Sequence, residues 1–171
     1  GEPYFRIRHW ETAGELCVFS SNYELYGDMS DRVMSLLRKH CAEVEVYSID
    51  ESFLRLDLYG QSPAGLLDYA ARLREIVGRH TGIPVSIGIA ATKTLAKLAN
   101  HIAKRRTEDY LYFLRPDDPL LEELPVSEVW GAGAAYARRL AAVGVHTVAA
   151  LQRLRPQWMQ REFGVTGRRL L

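Results

Sequence analysis

The sequence predicts an α+β fold, a sheet with helices packed on one face, followed by a smaller, all-helical portion. Three observations lead there. Short segments with apolar residues at a period of two are separated by longer segments with apolar residues at helical spacing. Helix-start signals stand where the period changes. After Pro125 the strand pattern stops and the chain turns basic.

Residues 1 to 16 show no clear period, and no element is assigned to them. Cys17, Val18 and Phe19 read as a short strand. Leu25, Met29, Val33, Leu36 and Leu37 then mark an amphipathic helix to about His40. Glu43 to Ile49 alternates as a strand, and Phe53 to Leu58 alternates again with Leu54, Leu56 and Leu58 on one face. Two strands so close make a hairpin with its apex near Asp50 and Glu51. Ser62 before Pro63 is an N-cap with proline at the first helical position, and Leu66, Ala70, Leu73, Ile76 and Val77 supply the apolar stripe. Gly82 and Pro84 end that helix. Val85, Ile87 and Ile89 form a strand, Thr92 caps a helix from Lys93 to about Arg105, and Tyr110 to Leu114 is the last strand. This order is similar to the ferredoxin-like pattern. The break Arg115-Pro-Asp-Asp-Pro119 places a domain boundary between residues 115 and 125.

With 171 residues, 47% of them hydrophobic, the chain can bury a real core. No run of about 18 apolar residues offers a membrane span, and the opening residues lack a secretory h-region, so the expected address is the cytoplasm with no membrane partner. Cys17 and Cys41 stand without a CxxC or Cys/His cluster, which predicts neutral thiols rather than a disulfide or zinc site. The net charge of +1 hides an asymmetry: Val126 to Leu171 carries seven Arg against two Glu, a net of +5, and the remainder is −4. A basic C-terminal portion suits a polyanion, although a solvated charged face gives the same count.

The segment Glu45-Val-Tyr-Ser-Ile-Asp-Glu-Ser-Phe53 sets two adjacent carboxylates where apolar strands reverse. In a strand, neighbours face opposite ways, but at a turn both can lean toward one cavity, where a divalent cation would neutralise them. Magnesium takes one or two carboxylates plus substrate phosphates, which points to nucleotidyl or phosphoryl transfer by two-metal chemistry. A merely polar turn is the plainer alternative. On the helix after Thr92, Leu95, Leu98, Ala99 and Ile102 face the core, while Lys93, Lys97, Asn100 and Lys104 form a stripe that a polyphosphate would relieve of its repulsion. An ordinary solvated face is again the alternative.

Tyr47-Ser-Ile-Asp-Glu-Ser-Phe53 followed by Val85-Ser-Ile-Gly-Ile-Ala-Ala-Thr-Lys-Thr-Leu-Ala-Lys-Leu-Ala-Asn100 resembles the signature blocks of Y-family DNA polymerases, most closely the UmuC type. Ser21 to Ser30 and the block Val129-Trp-Gly-Ala-Gly-Ala134 are also similar, so the resemblance covers almost the whole chain. It implies translesion synthesis, the copying of damaged DNA in repair and the SOS response. It implies that Asp50 and Glu51 are catalytic carboxylates holding Mg2+ at the primer end, that Ser48 is structural, and that Lys104 contacts the triphosphate of the incoming dNTP. Lys93 and Lys97 match less strictly. Primer-template DNA is the implied partner, with the sliding clamp and UmuD as family partners.

The resemblance also divides the chain into residues 1–120, a remnant of fingers plus palm, and 121–171, an incomplete thumb, with no little finger. Such polymerases open with a strand carrying a further metal-binding Asp and a finger segment, which do not precede Cys17 here. The expectation is therefore an incomplete two-ion site and poor polymerisation by this chain alone.

Val126 to Val148 looks like a helix-hairpin-helix, the motif that opens the family's thumb. Its physics stands independently: Gly131 and Gly133 permit tight turning, so amides at the next helix start can hold a DNA phosphate, with Arg138 and Arg139 one turn later as backbone contacts. Trp130 is expected to pack under the hairpin. Two other readings remain open on sequence: a non-catalytic DNA-binding or scaffold module, and a nucleotidyl cyclase-like domain, against which the helix-hairpin-helix argues.

Overall fold

A computed structural model of the chain describes residues 2–56, 62–168 and 170. The long helices form where their sequence signals stand. Helix α1 spans Tyr4–Thr12, α2 Tyr23–His40, α3 Pro63–Thr81 and α4 Lys93–Arg106. Each of the last three is capped by a side chain that accepts a backbone N–H: Asn22 from Leu25 at 3.1 Å, Ser62 from Gly65 at 3.1 Å, and Thr92 from Leu95 at 3.3 Å. Such caps satisfy N–H groups that have no partner within the helix.

Strands β1 (Val44–Val46) and β2 (Ser52–Leu54) pair antiparallel, with Glu45 opposite Phe53. Strands β3 (Ile87–Ile89) and β4 (Leu111–Phe113) pair in parallel, with Gly88 opposite Tyr112, and α4 makes the crossover between them. Gly88 is dictated by this packing. A Cβ there would lie 2.0 Å from the Asn100 backbone nitrogen, so only glycine lets α4 approach β3 so closely.

The N-terminal region differs from expectation. Cys17 to Phe19 is not a strand; Val18 and Phe19 are exposed and so lack the buried face that would hold a strand on a sheet, and the nearby regular element is α1, which has no buried residue. The remaining strands are shorter than the alternation suggests, and Leu58 lies outside the described residues. Among the described residues the strands form two separate two-stranded sheets instead of one ferredoxin-like sheet. Where β2 and β3 would have to join, a cavity of about 170 Å³ lies between them, lined on the apolar side by Met34, Leu54, Val77 and Ile87. What stands is a fold of mixed helix and strand.

The core has a sheet side and a helical side. Val33, Leu37, Leu73 and Val77 join α2 to α3. A larger cluster begins on α4 with Leu98, Ala99 and Ile102 and runs on through Leu121, Leu140 and Met159. It therefore crosses residues 115 to 125 without a break. Beyond them come 3₁₀ turns at Pro119–Glu122 and Val126–Glu128, then α5 (Ala134–Ala141), α6 (Val148–Gln152) and α7 (Pro156–Arg168), the last interrupted at Gly164. The element before the glycine loop is thus one 3₁₀ turn, and the expected first helix of a helical hairpin is reduced to it; Pro125 precedes the turn and Val129 leaves it in extended conformation.

Candidate functional site

The β1–β2 turn is closed by the amides of Tyr47 and Ser48, which both donate to the Glu51 carbonyl at 3.0 Å. The chain reverses through Ser48, Ile49 and Asp50, and Glu51 leads directly into β2. Ser48 Oγ donates to Asp50 Oδ1 at 2.7 Å, which fixes the aspartate and gives the serine a structural task. Asp50 and Glu51 both line the cavity between the sheets, together with Lys97 and Asn100. Both residues thus border one space, with the Glu51 carboxylate on Lys97 and the Asp50 carboxylate on Ser48.

The lysine stripe of α4 is divided among several tasks. Lys93 pairs with Glu45 and lies 5.3 Å from the Phe53 ring centroid. Lys97 Nζ donates to Glu51 Oε2 at 2.9 Å, with side chains only 24% and 36% exposed. Asn100 Oδ1 accepts from Ser86 Oγ at 2.7 Å, tying α4 to the segment before β3. Lys104 is exposed and has no ion pair among the described residues. The acids of the hairpin therefore relieve the first two lysines, and Lys104 is left to face solvent.

An open groove of about 540 Å³ runs between α4 and the glycine loop, lined by Glu51, Lys97, Lys104, Trp130, Gly131 and Gly133 among others. Gly131 has φ +92, a left-handed backbone that favours glycine. Gly133 is the N-cap of α5 and offers no side chain to the helix start, leaving its first amides open. Arg138 and Arg139 do not line this groove. Arg138 is exposed, whereas Arg139 donates to the Glu162 carbonyl at 2.8 Å, and its guanidinium lies 4.5 Å from the ring centroid of Phe163 on α7.

Trp130 packs, but against the hairpin of the sheet portion and not beneath its own loop: its ring lies 5.2 Å from Tyr47 and 5.9 Å from Phe53. The half-buried indole thus meets two aromatic rings of the hairpin. Neither the pairing of Lys97 with Glu51 nor this aromatic contact is evident from the sequence pattern. The usable signal is the presence of two lysines four apart on α4 and the acids Glu45 and Glu51 on the hairpin. Another such contact is His101 Nδ1, 3.2 Å from Glu128 Oε2, which joins α4 to the second 3₁₀ turn.

Of the two cysteines, Cys41 is buried beside Tyr69, and burial pushes its thiol upward, keeping it neutral. Cys17 is exposed and unpaired with it. Among the described residues no group of three or more His, Cys, Asp or Glu is placed to hold a metal, and no helix is long and apolar enough to cross a membrane.

This arrangement of hairpin, crossover helix and helical tail is shared with polymerases. DinB from Sulfolobus solfataricus superposes with a TM-score of 0.74 at 26% identity, over 95% of this chain and 48% of that one. The Dbh DNA polymerase in a post-insertion binary complex gives 0.78 at 26%, over 96% and 49%. Residues 1–101 match the impB/mucB/samB family, and the chain belongs to it, a Y-family polymerase family. Protein UmuC of Salmonella typhimurium is 42% identical over 96% of the chain, and protein MucB of Escherichia coli 41% over 96%. The chain spans about 40% of the length of each of these relatives. Family membership removes the cyclase-like reading.

Proposed function

We propose that the chain carries part of the nucleotidyl-transfer site of a translesion DNA polymerase and binds primer-template DNA, serving template-directed synthesis across damaged DNA. The observation that supports this best is the adjacency of two spaces: the cavity that Asp50 and Glu51 share, and the groove that collects Glu51, Lys104, Gly131 and Gly133. Acids for a cation and donors for phosphates thus meet at Glu51.

The donor set suits a magnesium ion that keeps several waters and takes phosphate oxygens, since two acidic residues bordering one cavity are what such an ion needs from protein. Asp50 and Glu51 would hold it, and the described residues supply ligands for part of a two-ion site only. Bound there, Mg2+ would offset negative charge on the reacting phosphates. Ser48 holds Asp50 in place through its 2.7 Å hydrogen bond. Lys104, exposed at the groove, would attract the dNTP triphosphate and stabilise charge on the departing pyrophosphate. The glycine loop would bring amides of the α5 start to a DNA phosphate, with Arg138 adding charge without reading sequence. Arg139 has a weaker claim, because α7 already engages it.

In this reading residues 1–120 act as the remnant of fingers plus palm and 121–171 as the thumb. A repair role in the SOS response, the sliding clamp, UmuD and a cytoplasmic address follow as family expectations. A non-catalytic DNA-binding module is the second reading, favoured by the engagement of both carboxylates by Ser48 and Lys97.

Primer extension with magnesium and four dNTPs, comparing the chain with Asp50→Ala, tests the first reading. Extension lost in the variant supports catalysis by these residues. Salt-dependent binding of primed DNA without extension is the outcome expected of a partial site; Mn2+ uptake that falls in Asp50→Ala then supports the first reading, equal uptake in the two supports the second, and no DNA binding at all overturns both.

A further inference from the structure

Lys97 stands at the junction of three elements. From α4 its ammonium reaches Glu51 at 2.9 Å, and the same atom lies 4.6 Å from the Tyr47 ring centroid and 5.1 Å from that of Trp130. Tyr47 belongs to the carboxylate hairpin, and Trp130 to the glycine loop, with their rings edge to face at 5.2 Å. One partly buried cation therefore has two kinds of partner at once, a carboxylate and a pair of aromatic faces, both within the range of effective attraction.

We infer that Lys97 is a positioning residue that holds Glu51 while no divalent cation is bound and passes to the aromatic faces of Tyr47 and Trp130 when one arrives. The inference rests on the reading that Glu51 holds such a cation. A carboxylate neutralised by a divalent ion no longer attracts the ammonium, and the two cations repel at this separation. The ring faces already beside Nζ are the nearest electron-rich surface, and the limited exposure of Lys97 makes that partner more effective than it would be in open water. The arrival of charge at Glu51 is thereby felt at the contact between the hairpin and the loop that precedes α5. Lys97 lowers the affinity of Glu51 for the cation and, in exchange, couples its occupancy to the placement of Trp130.

The test uses the chain with Trp10→Phe and Trp158→Phe, so that Trp130 is the remaining tryptophan, and reads Mn2+ uptake by electron paramagnetic resonance and Trp130 emission during Mg2+ titration. Lys97→Met is expected to bind Mn2+ about fivefold more tightly, from loss of a competing ion pair, and to lose the Mg2+-dependent change in emission. Lys97→Arg is expected to restore the competition. Glu51→Gln, without metal, is expected to reproduce the emission change that Mg2+ causes, because it frees the ammonium in the same way. Circular dichroism checks that each variant is folded. Mn2+ uptake that falls in Asp50→Ala but is equal in wild type and Lys97→Met leaves the metal-holding role standing and overturns the inference alone. So does unchanged emission in Glu51→Gln. Absence of Mn2+ uptake in both wild type and Lys97→Met overturns the metal-holding role and the inference with it.

Discussion

Gly88 of β3 passes so near Asn100 of α4 that a methyl group on its Cα would lie 2.0 Å from the Asn100 backbone nitrogen and 2.4 Å from the Ala99 carbonyl carbon. Both are backbone atoms, so no rotamer change relieves the overlap. Gly88→Ala is expected to cost about 3 kcal/mol or more through overpacking, seen as a lower urea midpoint. Ser86→Ala, which removes only the neighbouring hydrogen bond to Asn100, is expected to cost about 1 kcal/mol.

Arg138 and Arg139 are adjacent in sequence and separable by experiment. Arg138→Ala is expected to leave the urea midpoint unchanged and to reduce the log-log salt slope of DNA binding by about 0.9, the loss of one phosphate contact. Arg139→Ala is expected to destabilise the fold by about 1 kcal/mol, because it removes a hydrogen bond to Glu162 and a cation from the ring of Phe163.

Tyr112 donates its hydroxyl to Asp118 at 2.9 Å, and burial with that acceptor pushes its pKa up from 10.0 to about 12. The folded state holds the phenolic proton more tightly than the unfolded state does. The contribution is therefore complete below about pH 10 and is lost as the pH rises toward about 12. Tyr112→Phe is expected to be less stable than wild type at neutral pH, and the difference should shrink over that alkaline window in urea titrations.

Thiol labelling distinguishes the two cysteines. Cys17 is exposed and Cys41 buried with its thiol held protonated, so at mildly alkaline pH one thiol should react quickly and the second only in denaturant. Fast modification of both would mean that the α2–α3 packing opens readily.

The sequence is most informative where local chemistry decides structure. Ser62, Pro63 and Thr92 locate the starts of α3 and α4 because capping is a contact over three residues. Asn22 caps α2 in the same way, although the apolar stripe that marks this helix begins only at Leu25. The turn at Asp50 and Glu51 is legible for the same local reason. Strand lengths are not, since alternation continues past the point where a partner edge exists, as in Phe53 to Leu54 and onward. Helix α1 escapes a reading by periodicity because its residues carry no buried stripe. The contact of Trp130 with Tyr47 joins positions far apart in the chain, and no local pattern announces it. Family resemblance singles out Asp50, Glu51 and Lys104 as candidates, whereas the partnership of Lys97 with Glu51 requires the folded arrangement.

Helix α4 serves two masters. One side covers β3 through the Gly88 contact with Ala99 and Asn100, and the other supplies Leu98 and Ile102 to a core shared with Leu121, Leu140 and Met159. Cutting the chain between residues 115 and 125 would strip that second side and leave a sticky, half-clothed helix on the first fragment. The boundary visible in sequence is thus a change of architecture and not a seam: calorimetry of the chain should record a single cooperative melting.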